Sequence, residues 1–537
     1  MKSPTPSTTA AISASPTKNL NQLPIPSNLK TSGSNITHIM QNFNLIDSPW
    51  IPVRWRHDAS SETSPLVSLQ TAFARSSEIA DLDCAPHERI ALTRLLVCIT
   101  LAALGAPEDE DEWDDFGANF SEDIITYLKR DDIYPHFNLL GDGPRFLQSK
   151  KTTAKSSEGY PLCKIFFQLA SGNSPKLMDH WGEDARPWEP AAAALGLLTL
   201  QNFFVGGSMA SKVKGNGPSL KSLQMLLLGD SLKETLLRNC IDLETLKQTG
   251  AEIGTPVWGS PADNNLLARL APTACALWLS DDYATTLIDQ GHQYPEFEAY
   301  RDPFATTLTI KDNRRLLRAN LEQGIWRDLH LVTNLKHTDE ASGPLNLQAF
   351  NNRHTLKQHT NLWVGELVKA KDAKIIDCTE STFTVPQQLF SEDGRKIYAN
   401  GVDHADVISK KLYGAIKTYW GALKHENPPV PAAQKHFWHQ LDLKHRTLIQ
   451  MAGDPESRRG LPAIGEAGAV DAWTRLVQST ALDAFNTVCP RSTPRQIQAY
   501  ANGIKPLMKA LYPKPPKAPK QPKKSSSIPN IQSEMKL

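Results

Sequence analysis

Glycine and lysine are concentrated in one short segment, VGGSMASKVKGNGPS, at residues 205–219. Glycines let backbone amides approach a bound group closely and lysines place positive charge beside it, so this composition suits a phosphate cradle. The Walker A pattern does not fit, because from Gly207 it would place its second glycine at Lys212 and its hydroxyl at Lys214. The segment is therefore not a nucleotide-binding P-loop.

A dinucleotide-binding turn does not fit this segment either. Gly215 and Gly217 give the GxG of such a turn, but Leu220 occupies the position of the third glycine, and no β-branched run precedes the segment. Two interpretations remain open. The segment either contacts the phosphates of DNA or RNA, or it is an ordinary surface turn, which is the commoner use of such residues.

Two His/Asp pairs could support metal-dependent chemistry. His57-Asp58 and Asp179-His180 resemble the pairs of divalent-metal phosphohydrolases, but neither has further histidine or aspartate ligands at helical spacing. The GxSxG, HExxH and kinase patterns are also missing from the sequence. These observations favour a binding protein without a cofactor or bound metal. A metal-dependent nuclease or phosphohydrolase that uses Asp179 and His180 is the alternative.

The composition is that of an ordinary globular protein. The chain has 537 residues, 40% of them hydrophobic, a length that suggests about two to four domains. Its seven cysteines are scattered without a CxxC pair, which argues against a disulfide framework or a zinc site. The sequence contains neither an apolar run that could span a membrane nor the hydrophobic core of a secretion signal, so we expect a cytoplasmic protein.

Positive charge is concentrated at the two ends of the chain. The net charge is +1, yet residues 1–40 contain three lysines and no acid, and residues 512–537 contain six lysines and one glutamate. The middle of the chain is therefore acidic, so any contact with a polyanion must be local. Both ends have low complexity, which predicts a disordered Ser/Thr/Pro-rich leader at 1–40 and a disordered Lys/Pro-rich tail at 512–537.

Hydrophobic periodicity predicts both helices and strands in the first part of the chain. Phe43–Trp55 has β-formers around an Asp-Ser-Pro turn, as in a hairpin, and the segment after Pro86 has helical spacing up to Gly105. Helices are also predicted for SEDIITYLK, with Ser121 as its cap, and for EPAAAALGLLTLQNFF and LKSLQMLLLG. The segments KIFFQLA and AKIIDCTESTFTV are predicted strands.

Four amphipathic segments follow residue 402, each with apolar residues three or four positions apart. Proline- and glycine-rich loops join them, and Thr493-Pro494 gives the last segment a cap and a first-turn proline. We therefore predict an α+β protein. A mixed N-terminal domain with irregular loops is expected at 41–400, and a C-terminal four-helix bundle at 401–511.

Several short segments, taken in their order along the chain, resemble the CasA family. Members of this family are the large subunits of the type I-E CRISPR surveillance complex called Cascade. The resemblance covers residues 42–511 and includes the C-terminal four-helix bundle. The segments that carry it are FNLIDSPWIPV, HERIALTRLLVCITLAAL, HFNLLGDGPRFLQ, FFQLASGNSPKLMDH, FVGGSMASKVKGNGP, GIWRDL and AKIID.

The resemblance implies a subunit that is not an enzyme. Members of the family recognise a short protospacer-adjacent motif in double-stranded DNA and help to open the duplex into an R-loop with the guide RNA. They also recruit a helicase-nuclease that acts in trans. The implied partners are the other Cascade subunits, the CRISPR guide RNA, double-stranded target DNA and the helicase-nuclease, with no membrane. A structural scaffold that never contacts DNA is a second alternative.

The resemblance also gives the glycine-rich segment a DNA-binding role. The family inserts a run of three glycines into the minor groove beside the motif, where this chain has Gly-Gly-Ser. That groove is about 6 Å wide, so a backbone without bulky side chains fits it, while lysine neutralises the flanking phosphates. The corresponding residues are Gly206, Gly207, Ser208, Lys214 and Gly215.

Two further loops are expected to contact DNA. The segment SGNSPKLMDH resembles a loop that touches the motif and neighbouring subunits, with Met178, Asp179 and His180 at its tip. EFEAYRDPFATTLTIK resembles the region of a lysine finger, for which the nearest cation in this chain is Arg301. Candidate phosphate contacts nearby are Lys311, Arg314, Arg315 and Lys336.

A wedge that separates the first base pairs is expected at Lys371, Asp372, Ala373 and Lys374. The family usually has glutamine followed by alanine at this place, so the aspartate is a departure. Its carboxylate is unfavourable near phosphates unless Lys371 and Lys374 compensate. Either Lys371 is the wedge, or the motif preference differs from that of better known members.

Overall fold

The structure is a computed structural model of the chain, and it describes most of the region from Phe43 to Pro513. The predicted leader and all but the first two residues of the predicted tail lie outside this region. The described ranges are 43–59, 63–108, 110–150, 159–169, 185–207, 213–261, 263–295, 302–336, 341–353, 359–370, 374–453 and 471–513.

Helices dominate the described ranges, and the strands are short except in one hairpin. The helices are α1 (Leu69–Ala74), α2 (Pro86–Leu104), α3 (Glu110–Asp115), α4 (Phe120–Leu128), α5 (Pro190–Phe203), α6 (Leu232–Asn239), α7 (Leu243–Thr249), α8 (Leu266–Leu270), α9 (Leu329–Val332), α10 (Leu345–Asn352), α11 (Glu392–Ala422), α12 (Val430–Lys444), α13 (Arg446–Gly453), α14 (Ala472–Val488) and α15 (Pro494–Leu511). The strands are β1 (Ile51–Trp55), β2 (Leu66–Val67), β3 (Ile79–Leu82), β4 (Tyr160–Pro161), β5 (Gln224–Leu228), β6 (Cys275–Leu279), β7 (Thr285–Gln290), β8 (Thr307–Ile310), β9 (Asn313–Leu316), β10 (Ala341–Ser342), β11 (His359–Lys369) and β12 (Ile375–Pro386).

The described strands form four antiparallel sheets of three strands each, in the orders β2-β1-β3, β10-β8-β9, β12-β11-β5 and β4-β7-β6. Helices and small antiparallel sheets together confirm the predicted α+β class. None of the helices in the described ranges is long and apolar enough to cross a membrane.

The sheet β12-β11-β5 separates two hydrophobic cores. Leu226 of β5 and its partner Trp363 of β11 face the N-terminal core, whereas the next pair, Leu227 and Leu362, face a core shared with the C-terminal helices. Because both faces are buried, β5 is apolar at successive positions. The predicted helix in LKSLQMLLLG is therefore wrong, since a strand buried on both faces lacks the alternation that distinguishes it from a helix.

Helix α2 passes through the N-terminal core, with the bounds expected from Pro86 and Gly105. The guanidinium of Arg94 in α2 is buried. It forms an ion pair of 2.9 Å with the carboxylate of Asp302, which is also buried. Removal of one partner from such a pair leaves an uncompensated charge and costs about 3–5 kcal/mol. The pair therefore fixes the start of the chain segment that leads into β8.

Helices α11 to α15 form the C-terminal helical region, and each of them buries an apolar stripe. The second of the four predicted segments is two helices, α12 and α13, which meet at His445. Thr493 accepts a hydrogen bond from the Gln496 amide and Pro494 lies in the first turn of α15, as predicted. Helix α11 begins at Glu392 and so crosses the predicted boundary after residue 400, and the domain division stays a prediction.

Trp326 joins the mixed region to the C-terminal helices. It lies in the 3-10 turn Ile325–Asp328, is 2% exposed, and its ring centroid is 5.6 Å from that of Trp473 in α14. Its Nε1 donates to Oδ1 of Asp442 in α12 at 2.7 Å, and the Tyr398 hydroxyl donates to its carbonyl oxygen. One aromatic side chain from GIWRDL is therefore part of the bundle core.

Three local predictions in the N-terminal part are wrong. Phe43–Trp55 is not a hairpin, because β1 pairs with β2 and β3, while Asn44 pairs with the distant Asn138. Ser121 does not cap α4, because its hydroxyl donates to the Phe73 carbonyl. The described part of KIFFQLA contains the end of a 3-10 turn and no strand. In each case long-range contacts override the local pattern, whereas AKIIDCTESTFTV is a strand, as predicted.

Replacement of Trp326 with alanine should lower the free energy of unfolding by about 3–5 kcal/mol, because the change opens a cavity between α12 and α14. Trp326→Phe keeps most of the apolar contact and loses the hydrogen bond to Asp442, so a loss of about 1 kcal/mol is expected. Urea unfolding followed by circular dichroism measures both. Equal losses for the two variants would contradict a packing role for the indole.

Candidate nucleic-acid interface

The glycine-rich segment forms a loop with two antiparallel legs, residues 204–207 and 213–217, directly after helix α5. The Gly207 amide donates to the Val213 carbonyl at 2.8 Å, and a second bond between the legs has the same length. Residues 208–212, including Ser208, lie outside the described part of the chain. The legs therefore fix the positions of Gly207 and Val213, the described residues on either side of this gap.

Gly206 is required by the geometry of the loop itself. A Cβ atom at this position would lie 2.3 Å from the carbonyl oxygen of Gly215 on the other leg. That neighbour is backbone and cannot rotate away. The close approach that the sequence predicts for this glycine is therefore, first of all, an approach to its own chain.

Gly207 differs from Gly206 in its surroundings. Its φ of +80° lies in the left-handed region, and a Cβ atom built on it would have nothing within 4 Å. The residue is exposed. Gly207 thus presents bare backbone to solvent at the outer end of its leg, which is the feature that a narrow groove can accept.

Lys214 is held by a glutamine that the sequence interpretation missed. The Gln290 side chain, from the end of β7, accepts from the Lys214 amide at 2.7 Å and donates to the Lys214 carbonyl at 2.8 Å. The Lys214 side chain itself is exposed. A fixed backbone therefore carries a cation near Gly207. The two partners are 76 positions apart in the sequence, so no local signal could have identified Gln290.

Three candidate phosphate contacts lie on the β8–β9 hairpin. Lys311 and Asp312 form its turn with φ values of 51° and 62°, the backbone conformation of a tight two-residue hairpin turn. Arg314 and Arg315 follow in β9, and both are exposed. Arg314 and Arg315 are consecutive in a strand, so their side chains point to opposite faces of the hairpin. A DNA backbone on one face can therefore contact Lys311 and only one of the two arginines.

Lys336 is already engaged in an ion pair. Its Nζ lies 2.5 Å from a carboxylate oxygen of Glu392, in the first turn of α11, and both side chains are mostly exposed. The hydrogen bond and charge of Lys336 lower the pKa of Glu392. A phosphate would have to displace this carboxylate, so Lys336 is the weakest of the four candidate phosphate contacts.

The candidate wedge lies at the turn of the β11–β12 hairpin. The Ala370 amide donates to the Lys374 carbonyl at 2.8 Å, and the Lys374 side chain is exposed. The other three wedge residues, Lys371, Asp372 and Ala373, lie outside the described ranges. The turn nevertheless has a defined start and end, because both of its flanking strands are described.

A buried carboxylate supports this hairpin close to its turn. Glu366 of β11 is fully buried and accepts from the Ala319 amide at 2.6 Å and from Nε of Arg318 at 3.3 Å. Burial raises the pKa of its carboxyl, and these two donors oppose the rise. Arg318 also donates to the Lys369 carbonyl at 3.0 Å. The segment after β9 is thereby attached to the hairpin that carries the candidate wedge.

Two groups of predicted contact residues lie outside the described part of the chain. They are the loop residues Met178, Asp179 and His180, and the minor-groove candidate Arg301. Their roles stay predictions. For Arg301, the described neighbour is Asp302, whose buried ion pair with Arg94 anchors the chain immediately after it.

No metal site is formed by the described residues, among which no group of three or more His, Cys, Asp or Glu side chains could hold an ion. Asp58, of the pair His57-Asp58, instead forms a surface ion pair with Arg56 at 3.0 Å. The hydrogen bond from Arg56 lowers the pKa of Asp58. The other pair, Asp179-His180, lies outside the described ranges.

Sequence comparison connects the chain with one family. The family described as CRISPR-associated protein Cse1 matches residues 44–484. A curated relative, the CRISPR-associated protein CasA/Cse1 of Thermus thermophilus, is 25% identical over 482 residues, which cover 83% of this chain and 92% of the relative.

Solved structures of similar proteins share the fold. Cse1 from Acidimicrobium ferrooxidans has a TM-score of 0.69 at 19% identity, covering 88% of this chain and 98% of that one. CasA (Cse1) from Thermus thermophilus has a TM-score of 0.67 at 22% identity, covering 88% and 99%. A chain in a structure described as a CRISPR RNA-guided surveillance complex has a TM-score of 0.68 at 18% identity, covering 87% and 100%.

Replacement of Gly206 with alanine should loosen the base of the glycine loop, because the added Cβ atom cannot be placed beside the Gly215 carbonyl. The Gly207 amide, bonded to the Val213 carbonyl, should then exchange its hydrogen with deuterium at least about ten-fold faster. Hydrogen–deuterium exchange with mass spectrometry measures this rate.

Gly414→Ala is the matched control for this substitution. A Cβ atom at this exposed position of α11 has nothing within 4 Å, so the change should leave exchange at Gly207 unaltered and stabilise the helix by about 0.5–1 kcal/mol. If Gly206→Ala also left exchange at Gly207 unaltered, the explanation of Gly206 by contact between the legs would be wrong.

Proposed function

The chain belongs to the CRISPR-associated Cse1 family, and on this basis we propose that it is the non-catalytic large subunit of an RNA-guided Cascade complex. In this role it acts in the cytoplasm with the other Cascade subunits and a CRISPR guide RNA. The proposal is supported by the fold that the chain shares with a component of a structure described as a CRISPR RNA-guided surveillance complex.

The proposed task of the subunit is to recognise a protospacer-adjacent motif in double-stranded DNA. The observation that carries this proposal is the pairing of exposed backbone at Gly207 with the exposed cation of Lys214 on an anchored loop. A minor groove about 6 Å wide admits backbone more readily than side chains, and a lysine beside it neutralises phosphates. Ser208 and Gly215 belong to the same proposed contact, while Gly206 shapes the loop.

Other contacts extend this proposed interface along the duplex. Lys311, with one of the arginines Arg314 and Arg315, would reach phosphates from the β8–β9 hairpin. The motif-contact loop at Met178, Asp179 and His180 and the cation at Arg301 are assigned by resemblance to the family alone. Lys336 can contact a DNA phosphate only if the phosphate displaces the carboxylate of Glu392 from its ion pair.

The proposed wedge residues Lys371 to Lys374 begin strand separation, after which the guide RNA pairs with the target strand in an R-loop. Protein wedges unstack base pairs at a cost of a few kcal/mol and recover it through contacts with the distorted DNA. A wedge can apply force only from a stiff support. The ion pair of Glu366 with Arg318 and the long β11–β12 ladder supply such a support.

Cleavage is assigned to a helicase-nuclease recruited in trans. We place motif recognition in residues 41–400 and assign residues 401–511 to the four-helix bundle. Trp326 packs against Trp473 and donates a hydrogen bond to Asp442, both in the C-terminal helices. Through this contact, DNA binding by residues 41–400 can change the position of the four-helix bundle.

Gly207→Asp and Gly207→Asn test the DNA contact as a matched pair. The two side chains have nearly the same shape and both tolerate left-handed backbone, but only aspartate adds a negative charge. In the assembled complex, Gly207→Asp should weaken binding to a motif-containing duplex by on the order of ten-fold relative to Gly207→Asn at low salt. Electrophoretic mobility shift at several salt concentrations measures the difference.

Assembly of the complex with both Gly207 variants is the control, measured by native mass spectrometry. If the two variants bind the duplex equally while Lys214→Gln also has no effect, the loop does not contact DNA. The structural-scaffold alternative would then be favoured.

The nuclease alternative has a separate test. Purified protein with Mg²⁺ or Mn²⁺ should leave supercoiled plasmid DNA intact, because catalysis is assigned to another protein. Nicking that is lost on His180→Ala would overturn the non-catalytic assignment and favour a metal-dependent nuclease or phosphohydrolase using Asp179 and His180.

A further inference from the structure

An exposed isoleucine lies beside the turn of the β11–β12 hairpin. Ile376 is 55% exposed, whereas its neighbour Ile375 packs against the N-terminal core. An apolar side chain in water gains no burial energy, and on a strand near a hairpin end it also invites pairing with other chains. Burial in a hydrophobic core therefore does not explain the outward position of this side chain.

A β-bulge gives Ile376 this position. Val368 pairs with Asp377 and Lys369 pairs with Ile375, so Ile376 is the extra residue without a partner on β11. Bulges re-aim the side chain of the extra residue, bend the strand and occur often beside functional sites. The irregularity in the pairing of β11 with β12 and the exposed apolar side chain therefore occur at the same residue, Ile376.

The backbone around the bulge is firmly held. Arg318 donates to the Lys369 carbonyl opposite the bulge, and the Ala370 amide donates to the Lys374 carbonyl one step beyond it. Ile is also stiff at χ1, because it is branched at Cβ. Lys374, two residues before Ile376 in the sequence, is also exposed and provides a cation on the same part of the hairpin.

We propose that Ile376 inserts between the first base pairs next to the recognised motif and holds them unstacked, while Lys374 contacts a neighbouring phosphate. This inference rests on the proposed function of the hairpin as a wedge and names the group that performs the separation. Isoleucine is among the apolar side chains that proteins insert between base steps. Asp372 is unsuited to this part, because its carboxylate is unfavourable near the phosphates that flank the base pairs.

The test is an opening assay with the assembled complex, its guide RNA and a motif-containing duplex. The base analogue 2-aminopurine, placed at the first base pairs beside the motif, reports unstacking as a rise in fluorescence. Ile376→Ala should slow opening of the paired duplex by on the order of ten-fold. It should leave unchanged the binding of a duplex whose first pairs are mismatched and thus already open. Ile376→Leu should restore most of the rate.

Ile497→Ala is the matched control, because Ile497 on α15 is also 55% exposed and loses the same atoms. It should open the duplex at the wild-type rate. Native mass spectrometry shows whether each variant occupies the complex.

The outcomes distinguish this inference from the function on which it rests. If the wild-type complex opens the paired duplex and Ile376→Ala opens it equally fast, the inference is wrong and the proposed function stands. Equal slowing on paired and mismatched duplexes, or loss of Ile376→Ala from the complex, would assign Ile376 to general binding or to a subunit contact and overturn the inference. If the wild-type complex never opens the duplex, both proposals fail.

Discussion

Burial of both faces of the paired strands β5 and β11 is the constraint on which the two hydrophobic cores depend. A shift of β5 by one residue along β11 would move Leu226 away from the face of Trp363 to the face now occupied by Leu227 and Leu362. Side chains fitted to one core would then enter the other, so the register is fixed by packing on two sides at once. The same sheet continues into the β11–β12 hairpin, whose free end carries the candidate wedge.

The glycine-rich loop and the turn of the β11–β12 hairpin share one structural arrangement. In each, side chains from a distant part of the sequence hold the backbone next to the candidate contact residues. Gln290 holds Lys214, and Arg318 with Glu366 holds the β11–β12 hairpin. Loops fixed in this way can keep the precision of the core while remaining accessible to a partner. Positional precision matters more for a protein that distorts DNA than for one that only coats it.

The sequence predicted elements whose causes are local. Helix α2 has a first-turn proline and a terminal glycine, and α15 has Thr493 as its cap, so both were correctly placed. The sequence pattern of strand β5 predicts a helix, because burial on two faces removes the alternation that marks a strand. Gln290 could not have been identified, since its role depends on a contact across 76 residues. Gly206 and Gly207 are indistinguishable in the sequence. Their different roles are visible only in the structure, where Gly206 faces the opposite leg of the loop and Gly207 does not.

The distribution of charge explains why so much depends on geometry. The middle of the chain is acidic, and its candidate cations are few and divided among separate loops. Lys336 is compensated by Glu392, and Arg314 and Arg315 point to opposite faces of one strand. Each phosphate contact contributes one increment to the salt-dependent affinity, so a chain with few such contacts binds DNA weakly by itself. In the proposed complex, affinity therefore comes mainly from the guide RNA and the other subunits. The proposed contribution of this chain is the placement of a bare backbone at Gly207 and an apolar group at Ile376, each on a segment whose backbone is held by side chains from distant parts of the sequence.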